Sequence, residues 1–323
     1  MSAMPSMPTI ELLASAPLLP YLAAKLNEHF IVHDRSLLAD PAALARVAPR
    51  IRAVTGAGDT RVPGELIAKL PALEIISNFG VGYDGVDVPA AKARGIVVTN
   101  TPDVLNDDVA DLALALMLGH ARQLVAADHH VRSGAWSQGP LPLGRKLSGA
   151  RLGLVGMGRI GQRIAQRAQA FGMQVAYTAR HARTDVPWRH VADAAALAAQ
   201  SDWLVVITPG GAGTRKLIDA KVLAALGPQG VLVNVARGSV VDEAALIDAL
   251  QRQAIGGAAL DVFESEPDID PRLRAFPNVL LTPHIGSGTQ ATRQAMADLV
   301  LANLLAHFAG EPLPSPIPEC RQA

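Results

Sequence analysis

An arginine, a set of carboxylates and a histidine stand just past successive apolar runs in the C-terminal half of the sequence. The run at 231–235 is followed by Ala236, Arg237 and Gly238; that at 257–260 by Asp261, Glu264 and Glu266; that at 279–282 by Pro283 and His284; and that at 203–207 by Thr208 and Pro209. If these runs are parallel strands, all of these residues reach one rim, where α/β sheets bind ligands. His284 has an ordinary pKa of about 6.5, which suits proton donation near neutrality. Glu266 beside it would favour the imidazolium and keep a proton ready for an oxygen that gains charge. Arg237 offers a fixed fork that pairs with a carboxylate or polarises a carbonyl. Taken singly, each has a plain structural reading, as a salt-bridged rim arginine, a solvated loop acid and a hydrogen-bonded loop histidine. Together they predict an acid catalyst with an anion clamp.

What such a rim would act with is indicated upstream, by RLGLVGMGRIGQRIAQRAQAFG at 151–172. An apolar run meets Gly156, Gly158 and Gly161, and a helical pattern follows with Ile160, Ile164, Ala165 and Ala168 on one face; a second apolar strand at 174–177 closes a βαβ unit. Gly156 permits the tight turn, Gly158 lets the backbone approach a pyrophosphate, Gly161 allows close helix packing, and the helix N-terminus offers unpaired amides. The pattern therefore predicts a dinucleotide site rather than an ordinary glycine-rich turn. An NAD site would place an acid about 20 residues beyond the first glycine, on the ribose hydroxyls. Here the strand runs into Thr178, Ala179 and Arg180. A carboxylate would repel a 2′-phosphate and Arg180 would attract it, which favours NADPH, with NADH the weaker alternative.

The elements that must position these groups alternate along the whole chain. Its 323 residues are about twice the common domain size and predict two domains. The equal numbers of acidic and basic residues give a formal charge of +0, so nothing advertises nucleic acid or an anionic membrane as partner. Cys320 is the only cysteine, which excludes an intramolecular disulfide framework and cysteine-cluster metal sites, and no other ligand cluster demands a metal. Together with the lack of a secretory leader pattern, this leads us to expect a cytoplasmic protein. The apolar stretch 112–118 reads as a buried helix, since acidic residues precede it and His120 and Arg122 follow.

In the first hundred residues, strands are expected at 10–13, 31–33, 53–55, 75–77 and 96–99, with helices at 21–27, 41–48, 63–69 and 89–94 between them. The glycines here gather in NFGVGYDGVD, after the strand at 75–77, where the amides of Val81 and Gly82 could hold a small carboxylate; a loop that merely turns is the alternative. Asn106, Asp107 and Asp108 begin a long helix expected to reach Leu124, and Trp136 sits in a Gly/Pro/Ser-rich loop at 133–148. Strands at 203–207, 231–235, 257–260 and 279–282, with helices at 221–226 and 243–251, complete a sheet of at least six strands. A last helix at 289–308 follows it.

These residues resemble the D-isomer-specific 2-hydroxyacid dehydrogenases over nearly the full chain, and within them the glyoxylate and hydroxypyruvate reductases. The matching stretches are NFGVGYDGVD, TNTPDVLNDDVADLALALML, LVGMGRIG, VLVNVARGSVVDEAAL, GAALDVFESEP and NVLLTPHIGSGT. The resemblance implies two doubly wound parallel-sheet domains with a cleft between them. A flavodoxin-like substrate domain would span 1–99 and be completed by 288–323, and a Rossmann cofactor domain would span 100–287. It implies a homodimer joined largely through cofactor-domain segments, including the helix after Asn106. By position, Arg237 would bind substrate, Glu266 would orient His284, and His284 would protonate the substrate oxygen. Val81 and Gly82 would hold the carboxylate, and Trp136 would approach the substrate site. Arg159, Ile160, Thr208, Pro209, Val235, Ala236, Asp261 and Gly286 would join the three glycines and Arg180 around the cofactor. The expected activity is NADPH-dependent reduction of small 2-keto acids. Its alternatives are the same chemistry on 2-ketogluconate or a phenylpyruvate, which a small loop at Ala57 and Gly58 would admit, and a dinucleotide-sensing corepressor-like protein.

Overall fold

The protein is described by a computed structural model over residues 10–57 and 61–321, and it divides into two compact units. Gly58, in the loop expected to admit larger substrates, lies outside the described residues.

The first unit comprises 1–105 and 289–323. Its strands are β1 (Glu11–Ala14), β2 (Ile31–His33), β3 (Ile51–Ala57), β4 (Ile75–Phe79) and β5 (Val97–Thr99), all parallel, in the order β2-β1-β3-β4-β5. That is the flavodoxin-like order. β1 and β4 are buried along their whole length, the pattern of a sheet covered by helices on each side. The helices are α1 (Pro20–Asn27), α2 (Pro41–Val47), α3 (Gly64–Lys69) and α4 (Val88–Ala93). Proline near the first turn and Asp side chains start two of them: Asp40 accepts from the Ala42 and Ala43 amides before α2, and Asp87 from Ala90 before α4.

The second unit spans 106–288. It opens with α5 (Asn106–Ala121) and α6 (Leu124–Arg132) and continues through β6 (Arg151–Val155), α7 (Arg159–Ala170), β7 (Gln174–Thr178), β8 (Arg189–His190), α8 (Ala194–Ala198), β9 (Trp203–Val206), α9 (Ala220–Leu226), β10 (Val231–Asn234), α10 (Glu243–Gln251), β11 (Gly257–Leu260) and β12 (Val279–Leu281). The seven parallel strands take the order β12-β11-β10-β9-β6-β7-β8, a Rossmann order with a seventh strand added. The order reverses at β6, and the glycine-rich turn leaves its carboxyl end there. Helix α11 (Gln290–Ala309) returns to the first unit and packs on β4.

Two expectations need correction. The long helix does not run unbroken to Leu124: it ends at Ala121, Gln123 takes the left-handed conformation with φ 51°, and α6 leaves at 58° to α5. The cause is tertiary, since the Arg145 amide donates to the Ala121 carbonyl at 2.7 Å and so satisfies one of the carbonyls that end α5. The strand β8, absent from the expected set, ends in His190. That histidine packs edge-on to Tyr177 and bonds the Ala179 carbonyl at 3.3 Å. Among the described residues no single helix is long and apolar enough to cross a membrane, and most of the apolar residues of α5 are buried.

Candidate active site

The turn after β10 is shaped by a buried asparagine. Asn234, 1% exposed, accepts from the Ala236 amide at 3.1 Å and donates to the Arg237 carbonyl at 3.0 Å, which folds Val235, Ala236 and Arg237 over the strand end. The next residue must be glycine, because a Cβ on Gly238 would lie 1.8 Å from the carbonyl carbon and oxygen of Phe263. Only that contact distance lets the Arg237 segment lie against residues 263–264, three positions before Glu266.

Glu266 is held from two sides. One carboxylate oxygen accepts from the Phe263 amide at 2.8 Å, and the other meets His284 Nδ1 at 2.7 Å. The bond to Glu266 raises the His284 pKa, against the opposing pull of burial and the nearby Arg237 guanidinium. Burial pushes Glu266 upward, but its bonds to His284 and the Phe263 amide outweigh this and hold its pKa below the usual carboxylate value. The result is a charged pair whose imidazole keeps its second nitrogen, Nε2, for another partner. His284 has φ 52°, a conformation an L-residue rarely takes, at a cost of order 1–3 kcal/mol. Asp261 maintains it. Its backbone carbonyl accepts from the His284 amide at 2.9 Å, and its carboxylate accepts from Thr282 Oγ1 at 2.7 Å and from the Ile285 and Gly286 amides at 2.8 Å each. Asp261 is 1% exposed and spends both oxygens on this loop, a structural duty that the expectation of a cofactor contact did not include. Burial raises its pKa, with those hydrogen bonds opposing the rise.

At the switch point, a Cβ on Gly156 would sit 2.6 Å from the Ile207 carbonyl oxygen, and one on Gly161 would sit 2.5 Å from the Gly156 carbonyl oxygen. A Cβ on Gly158 would meet nothing within 4 Å. The glycines thus divide into two that close the turn and one that leaves open space in front of the first turn of α7, where Arg159 and Ile160 begin the helix. An anion approaching there would meet the N–H groups of the first helical turn and the positive end of the helix dipole. Arg180 lies two residues past β7, exposed, with no hydrogen bond or ion pair among the described residues, whereas Arg183 is paired with Asp185. Thr208 and Pro209 follow β9 on the same rim. These groups fit a dinucleotide with a phosphorylated ribose.

In the first unit, Val81 and Gly82 lie directly past β4 in a half-buried loop. Trp136 sits in a 3-10 turn at Ala135–Gln138 with 68% of its surface exposed. Asn234 and the loop-clamping role of Asp261 escaped the sequence reading, and the one available signal was a polar residue ending an otherwise apolar strand.

The sequence profile described as "D-isomer specific 2-hydroxyacid dehydrogenase, NAD binding domain" matches residues 114–286. The chain belongs to the D-isomer-specific 2-hydroxyacid dehydrogenase family. It is 45% identical over 317 residues to a glyoxylate/hydroxypyruvate reductase A of Arabidopsis thaliana, covering 96% of this chain and all of that one (100%). It is equally, 45%, identical over 312 residues to a hydroxyphenylpyruvate reductase of Plectranthus scutellarioides, with coverage of 96% and 100%. Among solved structures, an NADPH-dependent glyoxylate/hydroxypyruvate reductase of Sinorhizobium meliloti in complex with NADP and malonate superposes with a TM-score of 0.92 at 44% identity, covering 98% of this chain and 100% of that one. This dehydrogenase is therefore an α/β oxidoreductase with two parallel sheets.

Proposed function

We propose that the protein reduces small 2-keto acids, glyoxylate and hydroxypyruvate first, to 2-hydroxy acids with NADPH. The observation that carries this is the Glu266–His284 pair, with Arg237 close enough to influence both pKa values, on the rim that also bears the open α7 N-terminus. The amides at the start of α7 would hold the pyrophosphate, the loop at Val235 and Ala236 would lie beside the nicotinamide, and Arg180 would pair with a 2′-phosphate. Bound NADPH would supply a hydride to the keto carbon. Arg237 would clamp the substrate carboxylate and polarise the keto oxygen, the amides of Val81 and Gly82 would share the carboxylate, and His284 would deliver a proton from Nε2 to the oxygen as it gains charge. Glu266 would fix the tautomer and favour the imidazolium. On this reading 1–99 with 288–323 serves the substrate and 100–287 the cofactor.

The hydroxyphenylpyruvate-reducing relative favours a second reading, the same chemistry on a bulkier keto acid. Initial rates of NADPH and NADH oxidation with glyoxylate, hydroxypyruvate, phenylpyruvate and 2-ketogluconate separate the two. Turnover of the smallest acids with NADPH supports the first reading; turnover of only the larger acids moves the assignment to the second. No turnover, with tight dinucleotide binding, would leave a sensor. We also propose a cytoplasmic homodimer. In its support, Leu124, Val125, Val131, Trp136 and Leu143 are all more than half exposed in one stretch of the second unit, and Cys320 is a free thiol. Sedimentation equilibrium checks the dimer.

A further inference from the structure

The loop that begins at Gly80 has an unusual hydrogen-bond balance. Three consecutive carbonyls are tied down: Gly80 accepts from Asn78 Nδ2 at 3.1 Å and from the Thr101 amide at 3.0 Å, Val81 from Asn100 Nδ2 at 2.9 Å, and Gly82 from Asn78 Nδ2 at 2.9 Å. Both asparagines are buried, Asn78 at 3% and Asn100 at 8% exposure. The next amides in the chain, those of Val81, Gly82 and Tyr83, have no acceptor among the described residues. These two facts are linked by the peptide bond. In a planar trans peptide the N–H points opposite to the C=O of the same unit, so fixing each carbonyl toward the asparagines turns the following amide the other way. Three successive amides turned away from their anchored carbonyls leave three donors for an anion.

We propose that Asn78, assisted by Asn100, is the positioning residue that sets carboxylate affinity in this enzyme, by holding the planes of three peptides so that the amides of Val81, Gly82 and Tyr83 converge on the substrate carboxylate. This rests on the reading that Val81 and Gly82 receive that carboxylate, and it adds the Tyr83 amide and the two asparagines to it. Asn78 touches no substrate in this arrangement. It donates both hydrogens of one amide to two carbonyls of the loop, so its loss frees the Gly82 peptide to rotate and leaves the Gly80 peptide on the Thr101 amide alone. The ligand class is a carboxylate, and the asparagines act on binding rather than on proton transfer.

The test is Asn78→Asp, which is nearly isosteric but puts an acceptor where a donor is needed, with Asn78→Ser, which keeps one donor, and Asn100→Asp. For each, KM and kcat with glyoxylate, Ki for oxalate as a non-reacting carboxylate, NADPH affinity by fluorescence, and thermal unfolding would be measured. In Asn78→Asp, KM and the oxalate Ki should both rise about tenfold or more, while kcat falls less than about threefold and NADPH affinity holds. Asn78→Ser should fall between wild type and Asn78→Asp, and Asn100→Asp should move the same two constants. Unchanged KM and Ki in a folded Asn78→Asp would overturn the proposal, as would equal losses in kcat and NADPH affinity. Should Asn78→Asp fail to fold, Asn100→Asp and Asn78→Ser decide by the same constants. Failure of the underlying functional reading would show separately, as wild-type protein that neither reduces glyoxylate nor binds oxalate.

Discussion

The three glycines after β6 should separate cleanly when each is replaced by alanine. At Gly161 the new Cβ would lie 2.5 Å from the Gly156 carbonyl oxygen and 3.2 Å from its carbon, well inside the roughly 3.5 Å at which non-bonded heavy atoms rest. Both neighbours are backbone, so α7 must move off the turn. Overpacking of this kind costs about 1–3 kcal/mol, and the better helix propensity of alanine returns at most about 1 kcal/mol. With about 2–4 °C per kcal/mol for a domain of this size, Gly161→Ala should lower Tm by several degrees. At Gly158 the new Cβ has no neighbour within 4 Å and φ is −75°, which alanine accepts. Its stability cost is that of an N-cap change, about 1 kcal/mol or less. The methyl would instead fill the space through which a pyrophosphate reaches the α7 amides. Loss of one or two hydrogen bonds to a charged phosphate, each about 1.5–3 kcal/mol, weakens NADPH at least about tenfold. Calorimetry with and without NADPH reads both effects. At about 100 times Kd the wild type should gain about 2.7 kcal/mol, a gain that nearly vanishes if binding is a hundredfold weaker. Gly158→Ala should shift its unliganded Tm by no more than a few degrees and lose about half or more of the NADPH-induced rise. A full rise in that variant would refute the placement of the pyrophosphate, and a wild-type Tm in Gly161→Ala would refute the close contact of α7 with the turn.

His284 must be protonated to act as the acid and its pKa is raised, mainly by Glu266, so kcat/KM for keto-acid reduction should be flat at low pH and fall as pH rises through a value above the ordinary 6.5 or so. Glu266→Gln removes that support while burial and Arg237 still lower the pKa, so the falling limb should move to lower pH; an unmoved limb would exclude His284 as the titrating acid. His284→Ala should lower kcat by about 100-fold or more with NADPH affinity retained, as seen by fluorescence titration. Arg180→Ala should raise KM for NADPH about tenfold and leave KM for NADH nearly unchanged, and an equal change in both would deny Arg180 the 2′-phosphate. Burial lowers the pKa of His120, whose Nε2 meets the Asn278 carbonyl at 3.0 Å. The unfolded chain therefore binds more protons below about pH 6.5, and stability should fall as pH drops from there toward the folded pKa. Urea midpoints against pH should show that slope, and His120→Gln should flatten it.

The strand ends were legible because α/β sheets put their ligand groups there and because the runs at 231–235, 257–260 and 279–282 are short and apolar. Their observed limits, Val231–Asn234, Gly257–Leu260 and Val279–Leu281, differ from those by a residue or none. The charge logic also named two side chains that the fold brings together, since Glu266 and His284 meet at 2.7 Å across 18 positions of sequence. What spacing could not encode is the direction of a turn's carbonyls. Asn78, Asn100 and Asn234 do their work by donating to backbone oxygens, and Asp261 by accepting from backbone amides. Such partners exist only once the loop is folded, and in the sequence each is merely a polar residue closing an apolar run.

The break after Ala121 shows the same limit from the side of secondary structure. Neither glycine nor proline interrupts 119–125 beyond Gly119, which is still inside α5, and the apolar pattern continues to Leu124 and Val125. Local propensity therefore favours a continuous helix. The chain returns instead through residues 144–145, close enough that a Cβ on Gly144 would lie 2.6 Å from the Ala121 carbonyl oxygen, and the Arg145 amide takes that carbonyl as its acceptor. An acceptor satisfied from 24 residues away ends the helix without a local stop signal, and Gln123 takes φ 51° to redirect the chain. The redirected α6 then leaves Leu124 and Val125 exposed, at 55% and 67%, where a straight helix would have continued the mostly buried course of α5. The apolar surface assigned above to a second copy of the chain is thus created by this tertiary stop, and a Gly144→Ala change, which pushes the returning segment off Ala121, should disturb dimerisation before it disturbs the catalytic pair.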